Sequence, residues 1–237
     1  MSSMIRWLGF VVFFVVSLPM VSTEASAQTR PGYFDRPATI RVVGTMPANG
    51  TVPLVIYLPP TGGSAADLEG FVHETVGLTN YVVLLPEGEP TRAEYADFDR
   101  FTAWFDVRVT ADIARARASY PIDPQRIYVA GFSLGGDLGW AMLGLHPDRF
   151  AGAFLMGTRC GAHVGTTAMT TMRGRHTRVA FAIGDHDLAA RDRGLRSAQR
   201  RVDAAHVDSR LLVFSGMHQP PDVTTLRTGF AFITNAP

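Results

Sequence analysis

The 237-residue chain has a single cysteine, Cys160, and therefore no intrachain disulfide. Its stability must come from packing, and Cys160 is read as a packed small residue. No excess of charge of either sign is present: 22 basic and 21 acidic side chains leave a formal net charge of +1. That balance gives no case for nucleic acid or an anionic membrane as a partner. The seven histidines and the lone cysteine show no metal-ligand spacing, so no metal and no other cofactor is expected. Internal repeats, low-complexity segments and linker-like stretches are also missing, which argues for one domain.

Past the N-terminus, no stretch approaches the ~20 apolar residues that a membrane-spanning helix requires. The N-terminus itself is different. Residues 1–6 carry one positive charge, residues 7–21 are apolar apart from Gly9, Ser17 and Pro19, and Ala25-Ser26-Ala27 follows. This is the pattern of a secretory signal peptide over residues 1–27, with cleavage before Gln28. The competing reading is an uncleaved anchor, for which the apolar run is short. The expected mature domain is 28–237, exported and without a stable membrane anchor.

Short apolar runs without strict alternation lie at residues 39–43, 52–58, 81–85, 126–130, 153–156, 179–183 and 211–214. Such runs suit strands buried on both faces of a mostly parallel sheet. Helical patterns occupy residues 64–76, 107–119, 133–145, 188–205 and 221–232, and residues 28–37 read as a polar arm. Strands alternating with helices predict an α/β fold with a mostly parallel, doubly wound sheet flanked by helices.

The most informative segment is Gly131-Phe132-Ser133-Leu134-Gly135, which joins a strand pattern directly to a helix pattern. It is the Gly-x-Ser-x-Gly nucleophile elbow in the context that the motif demands. The serine sits at the apex of a sharp turn, and the flanking glycines leave room for the neighbouring strand and helix. A nucleophilic serine needs a base, an orienting acid and oxyanion donors. Gly184-Asp185-His186-Asp187 follows the run at 179–183, so two acids compete for one role. Ser215-Gly216-Met217-His218 follows the run at 211–214 and puts His218 where the base is needed. The order Ser, Asp, His matches that of folds carrying this elbow. One oxyanion donor is expected from the N–H of Leu134. The other is expected from the loop Pro59-Pro60-Thr61-Gly62-Gly63, where Thr61 is the first residue with an N–H.

With these residues in hand, the chain resembles the α/β-hydrolase superfamily, and within it the small serine esterases. Trp104-Phe105-Asp106, Gly131-Phe132-Ser133-Leu134-Gly135-Gly136, Gly184-Asp185-His186-Asp187 and, more loosely, Gly216-Met217-His218 are similar to stretches of the carboxylesterase, phospholipase and acyl-protein thioesterase branch. The stretches 62–67, 122–129 and 146–151 look like the secreted polyhydroxybutyrate-depolymerase and feruloyl-esterase branch. Both branches place the acid at the second aspartate of a Gly-x-x-Asp turn, which the resemblance carries to Asp187, leaving Asp185 to shape the turn. Both usually have His-Gly where this chain has Pro59-Pro60.

The resemblance implies a cofactor-free serine hydrolase acting on a small-molecule or polymeric carboxylic ester. Ser133, Asp187 and His218 would form the catalytic set, with Thr61 and Leu134 as oxyanion donors. A polyester depolymerase or peptidase of the same fold, or a non-catalytic relative that binds a ligand, are the alternatives. The segment between residues 157 and 178 is too short for a large lid domain, which predicts an open cleft.

Overall fold

Apolar residues recur along the central runs so that successive side chains fill opposite faces of a sheet. The structure, a computed structural model, describes residues 30–65, 67–68, 76–88, 91–92 and 95–234. Among these, seven strands form one sheet: β1 (Thr39–Val43), β2 (Val52–Leu58), β3 (Tyr81–Leu85), β4 (Ile122–Phe132), β5 (Gly152–Met156), β6 (Arg178–Gly184) and β7 (Ser209–Phe214). Their order is β1-β3-β2-β4-β5-β6-β7. β1 runs antiparallel to β3, and every other pairing is parallel. Five described α-helices cover the sheet: α1 (Phe98–Ser119), α2 (Leu134–Leu145), α3 (Thr166–Gly174), α4 (Ala189–Ala204) and α5 (Val223–Thr234). The expected α/β architecture is therefore present. The proposed signal segment lies outside the described residues. So does most of the helix expected over 64–76, of which Ala65, Asp67 and Leu68 are described and helical.

Two apolar layers result from the alternation. Leu54, Ile56, Leu58, Val129, Leu155 and Phe181 join the layer under α1 to α4. Val55, Tyr57, Ala130, Phe154 and Met156 join the layer under α5. Each fully buried Val, Leu, Ile, Phe or Met side chain contributes about 1.5–3 kcal/mol, which makes the two layers the main source of stability. The sheet's order also sets a location. β3 and β4 lie on opposite sides of β2, so the crossover direction reverses there and a crevice opens at the carboxyl ends of β2 and β4.

The structure corrects several boundaries and one role. Burial on both faces holds for β2 and β3, but the edge strands β1 and β7 are partly exposed. β4 begins at Ile122, before the expected 126, because a register shift between Val52 and Leu54 lets Ile122 pair with Val52. α1 begins at Phe98, nine residues before the expected start, with the Asp97 side chain accepting from Arg100 N at 3.2 Å. Its opening turns are rich in aromatic residues of modest helix propensity and are held by tertiary contacts. The rings of Phe101 and Phe105 pack edge-on to Phe34 at 5.7 and 5.0 Å between centroids.

Those contacts also change the reading of the arm. Tyr33 and Phe34 are buried in a short 3-10 turn, Gly32–Asp35. The buried Arg108 side chain donates to the carbonyls of Tyr33 at 2.9 Å, Arg36 at 2.6 Å and Glu87, and pairs with Asp112 at 3.5 Å. The segment is thus docked on α1. Farther along, His146 Nε2 lies 2.6 Å from Asp106 Oδ1. The Trp-Phe-Asp and His-Pro-Asp stretches therefore meet each other, joining the end of α2 to α1.

Arg108→Met leaves three carbonyls without their donor and Asp112 with Arg115 as its remaining cation, at 2.8 Å. It is expected to lower the unfolding free energy by about 3 kcal/mol, read as a lower urea midpoint with an unchanged slope. A midpoint equal to that of the unsubstituted protein would contradict the role given to Arg108.

Candidate active site

At the carboxyl end of β4 the chain turns through Ser133 into α2 with φ 57° and ψ −114°. This backbone is rarely adopted by a residue with a side chain and costs on the order of 1–3 kcal/mol. Close packing holds it. A Cβ at Gly131 would lie 2.3 Å from the carbonyl carbon of Gly135, and one at Gly135 would lie 2.2 Å from the carbonyl oxygen of Leu58. Ser133 N donates to Met156 O at 2.9 Å, which ties the turn to β5. The serine is buried, and its hydroxyl lies 3.0 Å from His218 Nε2.

His218 follows β7, and Asp187 follows β6. The two loops are stitched together by backbone. Asp185 N donates to Phe214 O and His186 N to Gly216 O, both at 2.9 Å. The Asp185 side chain accepts from Gly216 N at 2.9 Å, so it shapes the turn. Such closeness requires a glycine at 184, where a Cβ would meet Gly216 O at 2.3 Å. Asp187 Oδ2 then lies 3.1 Å from His218 Nδ1, and Asp187 Oδ1 accepts from Leu188 N at 2.6 Å. The Asp187 side chain is 1% exposed and that of His218 is 26% exposed, so the pair is shielded below and open above. The Phe132 ring packs on the imidazole with centroids 4.8 Å apart.

The two remaining predicted residues lie near the elbow. Leu134 is the first residue of α2 and is buried. The Pro59–Gly63 loop forms a turn in which Gly63 N donates to Pro60 O at 3.1 Å, with Gly62 at φ +73° and Thr61 before it. The contact of Gly135 with the end of β2 brings this turn beside the elbow. The Thr61 hydroxyl lies 3.1 Å from Tyr95 OH.

A set of residues not anticipated from the sequence braces these parts. Arg191 Nη1 donates to Gly157 O at 2.6 Å and lies 3.7 Å from Asp137 Oδ2. Asp137 Oδ1 accepts from Thr158 Oγ1 at 2.7 Å and from Arg159 N at 2.8 Å. Burial pulls the Arg191 guanidinium below its usual range, and the Asp137 carboxylate opposes that shift. The brace links the helix after Ser133, the helix after Asp187 and the strand end on which His218 rests. One sequence signal marked Arg191: it shares the apolar face of α4 with Leu195, Ala198 and Val202, where a lone arginine is out of place. Cys160 lies beside the brace, its N–H donating to Thr158 Oγ1 at 2.9 Å, and burial pushes its thiol up to about 12. A cleft of about 640 Å³ opens next to the elbow, lined by Arg92, Tyr95, Phe98, Leu134, Asp137 and Arg159. Among the described residues no group of histidine, cysteine and carboxylate side chains is placed to hold a metal ion.

A seven-stranded sheet with one antiparallel edge, a strained serine turn after a central strand and the Asp187 and His218 loops after β6 and β7 make up an α/β-hydrolase fold. The likenesses to known proteins agree. A carboxylesterase from Bacillus cereus matches with a TM-score of 0.63 at 17% identity, covering 86% of this chain and 98% of that one. A ferulic acid esterase matches with a TM-score of 0.56 at 14% identity, covering 84% and 97%. In sequence, the chain is 25% identical over 214 residues to a poly(3-hydroxyalkanoate) depolymerase C from Paucimonas lemoignei. That match covers 78% of this chain and 50% of the relative, so the chain spans about half the relative's length. No family model matches the sequence. The resemblance to α/β-hydrolase esterases read from the motifs is borne out at the level of the fold.

Two outcomes are expected. Gly135→Ala forces backbone against backbone at the elbow and should cost about 3 kcal/mol or more in unfolding free energy; wild-type stability would show that the turn has slack. Cys160 should resist iodoacetamide at pH 8 in the folded protein and react once unfolded, because the thiolate is the reactive form. Rapid alkylation of the native protein would contradict its burial.

Proposed function

We propose that the chain is an exported serine hydrolase that cleaves carboxylic esters. The observation that carries this reading is the hydrogen-bonded series from Ser133 Oγ through His218 to Asp187, at 3.0 and 3.1 Å, on the edge of the sheet where such folds place chemistry. In this reading His218 Nε2 takes the serine proton as Oγ attacks the ester carbonyl. Asp187 holds the proton on Nδ1, which leaves Nε2 free as the base, and stabilises the imidazolium as it forms. The tetrahedral oxyanion receives hydrogen bonds from the N–H groups of Leu134 and Thr61, a contribution of about 3–4 kcal/mol for each donor in comparable sites. His218 then passes its proton to the leaving alcohol. A water activated by the same imidazole attacks the acyl-serine and releases the acid.

Pro59 and Pro60 occupy the positions that carry His-Gly in the resembled families. Neither can donate, so the burden falls on Thr61. The elbow's contact with Leu58 O supports this role, because it holds the Thr61 turn beside Ser133. Export is supported by residues 1–27, and no described helix is long and apolar enough to cross a membrane. A polyester substrate is favoured by one observation, the likeness to a poly(3-hydroxyalkanoate) depolymerase.

A panel of 4-nitrophenyl esters tests the reading. Ser133→Ala is expected to lower kcat by ~10⁴–10⁶-fold, and Asp187→Asn by ~10³–10⁴-fold, since the amide favours the wrong imidazole tautomer. Near-wild-type turnover in Ser133→Ala would place the chemistry on another residue.

A further inference from the structure

The cleft beside the elbow is not electrically neutral in its free groups. Among the described residues, four charged side chains line it: Arg92, Arg159, Asp99 and Asp137. Asp137 is already engaged, by the Thr158 hydroxyl, the Arg159 N–H and the Arg191 guanidinium. Asp99 sits in the first turn of α1, where unpaired N–H groups and the helix dipole stabilise a carboxylate. Among the described lining residues, two exposed arginines therefore face one aspartate that has another source of stabilisation, which is a surplus of about one positive charge.

The same cleft reaches the reacting atoms. Leu134, the residue after the nucleophile, forms part of its wall. Tyr95 forms another part and lies 3.1 Å from the hydroxyl of Thr61, the second expected oxyanion donor. Tyr95 and Phe98 give the cleft an apolar wall between the two ends. The backbone of Arg159 is fixed at both of its polar groups. Its N–H donates to Asp137, and its carbonyl packs so closely on α4 that a Cβ at Gly194 would lie 2.1 Å from the oxygen. The guanidinium is thus launched from a rigid point.

We propose that this cleft binds a carboxylate of the substrate, so that the preferred esters carry a free carboxylate separated from the scissile bond by an apolar spacer. The proposal rests on the ester-hydrolase reading of Ser133. A guanidinium presents parallel N–H donors that match a planar carboxylate in a bidentate pair. A surplus of one charge suits a monoanion rather than a phosphate dianion. The aromatic wall suits the methylene spacer.

The test compares two esters of adipic acid that share the same 4-nitrophenyl leaving group. One has a free carboxylate at its far end, and the other has that carboxylate capped as a methyl ester. The quantity read is the ratio of their kcat/KM values in each protein. A charge-assisted pair predicts a ratio of about 10–100 in the unsubstituted protein at low salt, falling as salt rises. Arg159→Gln and Arg92→Gln should each reduce the ratio toward unity, and Asp99→Asn should raise it. Both arginines are exposed, so their replacement leaves the core intact. A ratio at or below unity in the unsubstituted protein, with the methyl ester still hydrolysed, overturns the carboxylate subsite while leaving ester hydrolysis standing. A high ratio that neither arginine substitution changes also overturns it. Absence of Ser133-dependent turnover on either ester overturns the hydrolase reading, and this inference with it.

Discussion

The contact between Gly135 and the carbonyl of Leu58 is the constraint on which the site depends. It presses the start of α2 against the end of β2, closer than any side chain at 135 would allow. Because β4 is hydrogen-bonded to β2, this contact fixes the path of the chain between Phe132 and Leu134 and forces Ser133 into its positive-φ conformation. The strain cannot relax without parting two paired strands of the buried sheet. The same contact holds the turn around Thr61 beside the serine. The proposed nucleophile and the proposed oxyanion donors are therefore set by one packing event.

The other half of the site is assembled by backbone. Asp187 and His218 come from consecutive parallel strands, and the loops that carry them exchange hydrogen bonds and meet across Gly184. Neither side chain has to be fixed by a long-range salt bridge. Arg191 adds the connection between halves, since its guanidinium reaches both the β5 end under the imidazole and Asp137 on the helix that follows Ser133. In the proposed hydrolase such an arrangement is preorganised, so that little of the geometry would have to form when a substrate arrives.

Much of this was readable from local pattern. The elbow announces itself because strand, turn and helix follow one another without a spacer. The Asp187 and His218 loops are recognisable because each comes directly after a short apolar run. Choosing between Asp185 and Asp187 was different; it needed the family resemblance, and in the structure Asp185 is engaged with the Gly216 N–H while Asp187 faces the imidazole. What escaped the sequence reading depends on meetings between distant segments. The docking of Tyr33 and Phe34, and with it the early start of α1, arises from Arg108 and a cluster of rings separated in the chain. The brace at Arg191 and the arginine pair in the cleft likewise join residues from different loops, although an arginine on the apolar face of α4 was a visible anomaly.

The central claim is that Ser133 is an activated nucleophile, and active-site labelling tests it most directly. Folded protein is treated with a fluorophosphonate and the adduct is located by peptide mass spectrometry. The account predicts one adduct per chain, on Ser133, formed by folded protein and not by unfolded protein. No adduct on the folded protein, or an adduct confined to a residue other than Ser133, would contradict it.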